Sequence, residues 1–242
     1  MSIADRFTAA LAEVSGAGPA EPELLPARLS RAAASALGTD AAGIGMVDEF
    51  GRWLPLGASE DVAGTAERMQ FTAGQGPCTT CRVEGQPVLA VQEELQRRWP
   101  VFTRLLESRT PFRAVLALPL GPAPWGRGAM DLYLRDGAAL AGVDVFAATA
   151  VGDLVSAALS DATVWGSWAA DGRPAWRAGP TARERARVWE AMGRVGMDLD
   201  VPAEEALALL RADATAAGRT VEEVAADVLE GRRGAADLRA GR

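Results

Sequence analysis

Between residues 181 and 233, apolar side chains return every three or four positions in three consecutive blocks, each bounded by residues that start or stop a helix. A segment patterned this way buries its stripes by folding back on itself, so it constrains the architecture more than any other stretch. Thr181 and Glu184 stand at the spacing of a capping box, and a helix is expected to begin there. Val188, Ala191, Met192, Val195 and Leu199 make the first stripe. Pro202 suits a first helical turn, where its missing N–H is harmless, and Ala206, Leu207, Leu210 and Ala214 carry the second stripe. Gly218 supplies a left-handed stop. Thr220 and Glu223 form a second capping box ahead of Val221, Val224, Ala225, Val228 and Leu229. The segment predicts a bundle of three short helices.

The preceding residues read differently. Ile3, Phe7, Leu11 and Val14 form a helical stripe that ends in a Gly/Pro cluster at 16–22, giving a short helix on a hinge that covers its own domain or meets a second subunit. A helix is predicted over 24–37, strands over 42–47 and 53–58 as a hairpin, a third strand over 68–72, and a short helix running through Cys81. Residues 88–91 are strand-like and 95–108 helical. Strands at 113–120 and 129–134 flank a turn-rich connector and should pair antiparallel, and 143–162 is helical again. The expected class is α+β: an antiparallel sheet with flanking helices, gathered mainly on one face, followed by an all-α bundle. The expected divisions are an N-terminal helix and hinge at 1–23, a sensor-sized domain at 24–162, a linker at 163–180, the bundle at 181–233 and a tail at 234–242. Trp165, Trp168 and Trp176 in the linker are large apolar bodies that need a surface, so it should wrap onto one domain or clamp both.

Composition excludes several chemistries. All 25 basic residues are arginine and there is no histidine, which removes histidine-based triads, bases and metal ligands. A net charge of −7 argues against nonspecific coating of nucleic acid or anionic membrane. Two cysteines, no basic-then-apolar N-terminal segment and no run of about 18 apolar residues predict a cytoplasmic chain without a membrane span. No phosphate-binding loop or paired-acid motif stands out, so neither an enzyme nor a cofactor is expected.

Five strings in order then resemble a GAF domain of the actinobacterial regulatory type, over about residues 24–162. They are Gly74, Gln75, Gly76, Pro77, Cys78; Gly85, Gln86, Pro87, Val88; Trp99, Pro100, Val101, Phe102; Arg113 through Leu120; and Gly128 through Tyr133. The C-terminal block resembles an ANTAR domain, carried by Ala191, Met192, Gly193, Val201, Glu205, Ala206, Leu207, Leu210, Arg211, Ala214, Gly218, Arg219, Val224 and Ala225. The two resemblances imply a sensor followed by a three-helix module that binds paired RNA hairpins, usually as a dimer, in transcription antitermination. Met192 departs from the family's common Lys or Thr, Pro202 from its usual Ser, and Gly196 and Asp200 from Met or Ala and Gly. The RNA-contacting residues expected are Arg187, Gly193, Arg194, Arg211 and Arg219.

The charges temper that expectation. Residues 177–242 hold 11 Arg against 12 acids, while 1–176 hold 14 against 20, so the bundle is near neutral rather than basic. Arg183, Arg187 and Arg194 lie along one side of a helix, where they could fork onto phosphates or pair with Glu190, Glu204, Glu205 and Glu222. Trp189 could stack on a base or pack against the Trp-rich linker. Cys78 and Cys81 form a C-x-x-C that reads as two buried apolar residues or as a redox sensor, with no further ligands to complete a metal site. Met69, Phe71, Trp99, Phe102, Leu116 and Tyr133 could line a small-molecule pocket or simply fill a core. The partners expected are RNA, a small-molecule or protein signal at the sensor, and a second copy through the stripes at 3–14 and 143–159. The other reading is a dimeric interaction or scaffold protein.

Overall fold

The computed structural model describes residues 1–16, 21–123 and 125–240. Positions 17–20 of the expected hinge, 124 of the connector and 241–242 of the tail lie outside them. Helices α1 (Ile3–Ser15) and α2 (Leu25–Leu37) precede strands β1 (Ala41–Val47) and β2 (Trp53–Ala58). Then come α3 (Asp61–Ala73), α4 (Pro77–Glu84), β3 (Val88–Val91), α5 (Gln92–Arg98), α6 (Pro100–Arg109), β4 (Ala114–Ala123) and β5 (Gly126–Leu134). The chain ends in α7 (Val145–Trp165), α8 (Pro180–Leu199), α9 (Ala203–Ala216), α10 (Val221–Leu229) and the single turn α11 (Asp237–Ala240).

The five strands form one sheet in the order β2-β1-β5-β4-β3, antiparallel throughout. The class is α+β as expected, but helices cover both faces. Ile44, Met46, Leu116, Leu118, Met130 and Leu132 pack on one side with α1, α2 and α7. Ala41, Val115, Ala117, Ala129 and Tyr133 pack on the other with residues of α3, α4, α5 and α6. The physical reason is visible in the strands: β1, β4 and β5 are apolar at successive positions rather than alternating, as a sheet buried on both faces requires.

The expected strand at 68–72 is helical. It belongs to α3, which opens with Asp61 and ends at Gly74 with φ 68°. Ala63, Ala66, Glu67, Met69 and Gln70 are buried, a helical spacing that a five-residue window over 68–72 does not sample. The helix expected at 95–108 breaks at Trp99 (φ −135°), where Pro100 restarts it. The first capping box does not form: α8 starts at Pro180 with Gly179 as its cap. Thr181 Oγ1 instead donates to the Leu56 carbonyl of β2 (3.2 Å), and Glu184 pairs with Arg68 (3.5 Å). Those partners lie on the sheet domain. The second box does form, with Glu223 N donating to Thr220 Oγ1 (3.2 Å) and Thr220 N to Glu223 Oε2 (2.7 Å).

In the bundle Val188, Ala191, Val195, Leu210, Ala214 and Val224 are fully buried together, as the stripes predict. The expected tail is partly structural, since Ala235 and Leu238 enter the same core. Apart from the exposed Phe146, the stripes that suggest a homodimer are largely occupied within the chain. Phe7 and Ala10 of α1 pack on α2 and α7, while Val151, Val155 and Leu159 of α7 join the core that β4 helps to build. By length and composition α7 is the one helix among the described residues that could cross a bilayer, although no unbroken apolar run marks it; one side of it is core packing.

Of the linker tryptophans only Trp176 is buried, edge-on to Trp125 with ring centroids 6.3 Å apart. Trp165 and Trp168 are exposed, so the linker is held to the sheet domain by its second half, through Trp176 and the pairing of Arg173 and Arg177 with Glu49 (3.2 and 3.3 Å). Trp176→Ala should cost about 3–5 kcal/mol in urea unfolding followed by circular dichroism, against less than about 0.5 kcal/mol for Trp165→Ala.

Candidate functional site

The bundle meets the sheet domain around a buried arginine. Arg185, on α8, is fully buried. Its Nε donates to Glu222 Oε1 of α10 at 2.9 Å, its Nη2 lies 2.6 Å from the same oxygen, and its Nη1 donates to the Trp53 carbonyl of β2 at 3.1 Å. The guanidinium carbon stands 3.4 Å from the centre of the Phe71 ring on α3. Burial pulls the Arg185 pKa down, and the attraction of Glu222 opposes that pull. One side chain therefore ties two bundle helices to a strand and a helix of the other domain. Around it Val221 N donates to Thr72 Oγ1 (3.0 Å), and Arg109 donates to the Gly218 carbonyl (3.1 Å) and to Glu223 (3.2 Å). Sequence reasoning misses Arg185. The one signal for it is helical spacing: Arg185 precedes Val188 and Met192 at offsets that place all three on the apolar side of α8.

Beside this anchor a cleft of about 410 Å³ opens between the domains. Trp53, Phe71 and Arg82 come from the sheet side, and Trp189, Met192 and Leu207 from the bundle. Trp189 meets Phe71 edge-on at 5.7 Å rather than the tryptophans of the linker. Met192, where the resemblance would place a cation or Thr, is half-buried here.

The five residues expected at RNA do not share one open face. Arg187 is exposed and pairs with Glu230 (3.1 Å); Arg194 is exposed, 3.9 Å from Asp198. Gly193 is exposed between them along α8, with open space where a side chain would be. Arg219 pairs with Asp227 (2.7 Å). Arg211 turns into the cleft, 4.6 Å from the Phe71 ring, and burial together with the charge of Arg185 brings its pKa down to about 10. Gly74 borders it closely: a Cβ there would lie 3.3 Å from the guanidinium.

The expected ligand set is dispersed. Met69, Trp99, Phe102 and Tyr133 fill the core on one face of the sheet, Leu116 faces the other, and only Phe71 reaches a cleft. Residues 115 and 116 alternate across the pleat, which separates Leu116 from Tyr133. Cys78 and Cys81 are buried free thiols, and burial with the nearby Asp131 carboxylate pushes both pKa values up, which disfavours the thiolate that redox chemistry needs.

That core also holds an acid pair. Tyr133 OH donates to Glu67 Oε1 (2.8 Å) and Gln70 Nε2 to Asp131 Oδ2 (2.7 Å), while Cys78 N donates to Gln70 Oε1 (2.9 Å). Gly43 makes the space, since a Cβ there would clash with the Glu67 carboxylate. Burial first, then the charge of Glu67, raises the Asp131 pKa well above the ordinary carboxylate range; burial raises Glu67 as well. The pair keeps a proton that the unfolded chain would lose.

Compared with known proteins, the chain matches no protein-family model and no curated sequence.

Two outcomes test these contacts. Arg185→Met and Glu222→Leu should each destabilise by about 3–5 kcal/mol, because each strands a buried partner, and the two combined should recover much of the loss in a double-mutant cycle. For the acid pair the folded pKa lies above the unfolded one, so its stabilising contribution is complete at low pH and is lost as pH rises. As pH rises above the unfolded carboxylate pKa of about 4, unfolding free energy should fall by up to about 1.4 kcal/mol per unit from this source, and Asp131→Asn should flatten the decline.

Proposed function

We propose that the chain is a signal-responsive regulator in which a GAF-like sensor controls an ANTAR-like, RNA-binding bundle that acts in transcription antitermination. The observation that carries this reading is the docking of the bundle on the sheet domain through Arg185, Glu222, Trp53 and Phe71, which gives any change in the sensor a direct mechanical route to the helices. The ordered residue strings that resemble the two families support it too. Of the arginines expected at RNA, Arg187 and Arg194 stay exposed in the docked arrangement, Arg194 also donating to the Leu229 carbonyl (3.3 Å). Their carboxylate partners are exposed and hold them by about 0–1 kcal/mol, so RNA phosphates can displace them. Arg211 is not an RNA contact in this arrangement; it would join them only if the bundle undocked.

A dimeric protein-interaction role is the second reading. It is favoured by the near-neutral bundle and by Phe146, Trp165 and Met197, which are 90%, 84% and 80% exposed.

The test is an RNA shift assay with paired hairpins over a range of salt. Wild type should bind with an affinity that falls as salt rises, Arg187→Ala and Arg194→Ala should each weaken it about fivefold, and Arg211→Ala should leave it within about twofold. Absence of salt-dependent binding by wild type would sink the first reading and leave the second.

A further inference from the structure

The cleft at the domain junction is more than a seam. Two of its cations have no acidic partner among the described residues. Arg82, on α4, lies with its guanidinium carbon 5.3 Å from the Trp53 ring, and Arg211 lies over Phe71. The Nε of each is buried without a hydrogen bond. Arg52, also in the wall, is already committed to Asp48 at 2.8 Å. The one carboxylate lining the cleft is Glu204, which is exposed.

Such an arrangement is electrostatically incomplete. Arg211 sits mostly out of water beside the charge of Arg185, and Glu222 offsets only part of that burden. Two buried donors with positive charge and no acceptor are costly unless something supplies the acceptor. An anion in the cleft, which both guanidinium groups line, would supply the opposite charge that no carboxylate salt bridge gives them. The remaining wall is mixed: Met192 and Leu207 close the bundle side, the rings of Trp53, Phe71 and Trp189 border the cleft with arginines over their faces, and Gln70 and Thr79 add polar groups. The volume falls within the usual range for small-molecule sites.

We propose that this cleft binds a small aromatic anion, its apolar body against Met192, Leu207 and the aromatic wall and its carboxylate or phosphate on Arg82 and Arg211. Because the wall is made by both domains, the ligand fastens the bundle in its docked position. That second statement rests on the sensor–effector reading above; the binding itself does not. The chemistry explains why Met192 stands on this face: a cation there would add to an uncompensated positive charge, whereas a thioether adds apolar wall.

The test uses the full chain and the fluorescent probe 8-anilinonaphthalene-1-sulfonate, beside N-phenyl-1-naphthylamine, which has the same rings without the anionic group. Wild type should bind the sulfonate at a single saturable site and the neutral amine at least roughly tenfold more weakly. Arg82→Met and Arg211→Met should each weaken the sulfonate roughly tenfold and leave the amine unchanged. If Arg211→Met loses its near-ultraviolet circular dichroism, Arg82→Met on the half-buried wall decides alone. Met192→Trp, which fills the cleft, should abolish binding of both probes with the fold retained. Equal affinity for the two probes, or sulfonate binding untouched by Arg82→Met and by Met192→Trp, overturns the proposal. Displacement of the bound sulfonate by benzoate identifies a carboxylate ligand and by phenyl phosphate a phosphate ligand; displacement by neither at millimolar concentration also overturns it. RNA binding is read in a separate assay, so the failure of one reading is not mistaken for the failure of the other.

Discussion

Arg185 has surrendered its water to Glu222, the Trp53 carbonyl and the face of Phe71; Glu222 belongs to the bundle, but the carbonyl and the ring are met only when the bundle is docked. A guanidinium taken out of solvent is tolerated only where geometry and charge compensate it. Geometry therefore locks α8 and α10 to each other and both to β2 and α3. The interaction confers specificity of docking more than stability, since a well-packed apolar replacement of the pair would stabilise the junction about as well. What the pair does, and an apolar contact would not, is leave Phe71 flanked by two arginines, with Arg211 on the open side.

The sheet domain is arranged to present that junction. Its strands are apolar on both faces, so one helical layer of α1, α2 and α7 packs on one side and α3 to α6 on the other. The second layer carries the polar exceptions. Glu67 and Gln70 project from α3 toward Asp131 and Tyr133, and Gln70 also lines the cleft. Gln70 thus bridges the two regions: its amide donates to Asp131 in the core, and it borders the cleft that Arg82 and Arg211 line.

Much of the element order is legible in the sequence. The three stripes of the bundle, the box at Thr220 and Glu223, the stop at Gly218 and the hairpin of β1 and β2 all rest on local signals, namely spacing, hydroxyl–carboxylate pairs and glycine with φ 63°. The misreadings share a cause. Residues 68–72 look like a strand only when separated from the helical turns before them; Thr181 and Glu184 fit a cap, but partners on β2 and α3 compete for both side chains. Trp189 meets Phe71 for the same reason, because a distant surface outcompetes a neighbouring segment once the chain has folded.

The candidate site is the least legible part. Arg211 and Arg194 look alike in sequence, each an arginine on an amphipathic helix, yet one is enclosed and the other is in solvent. Periodicity and caps, which act within a few residues, establish that there is a bundle and where its helices run. Which arginines are buried, which aromatic rings face a cleft, and that Leu116 and Tyr133 sit on opposite sides of a sheet depend on contacts between residues far apart in the chain, where burial and desolvation rather than local spacing set the outcome.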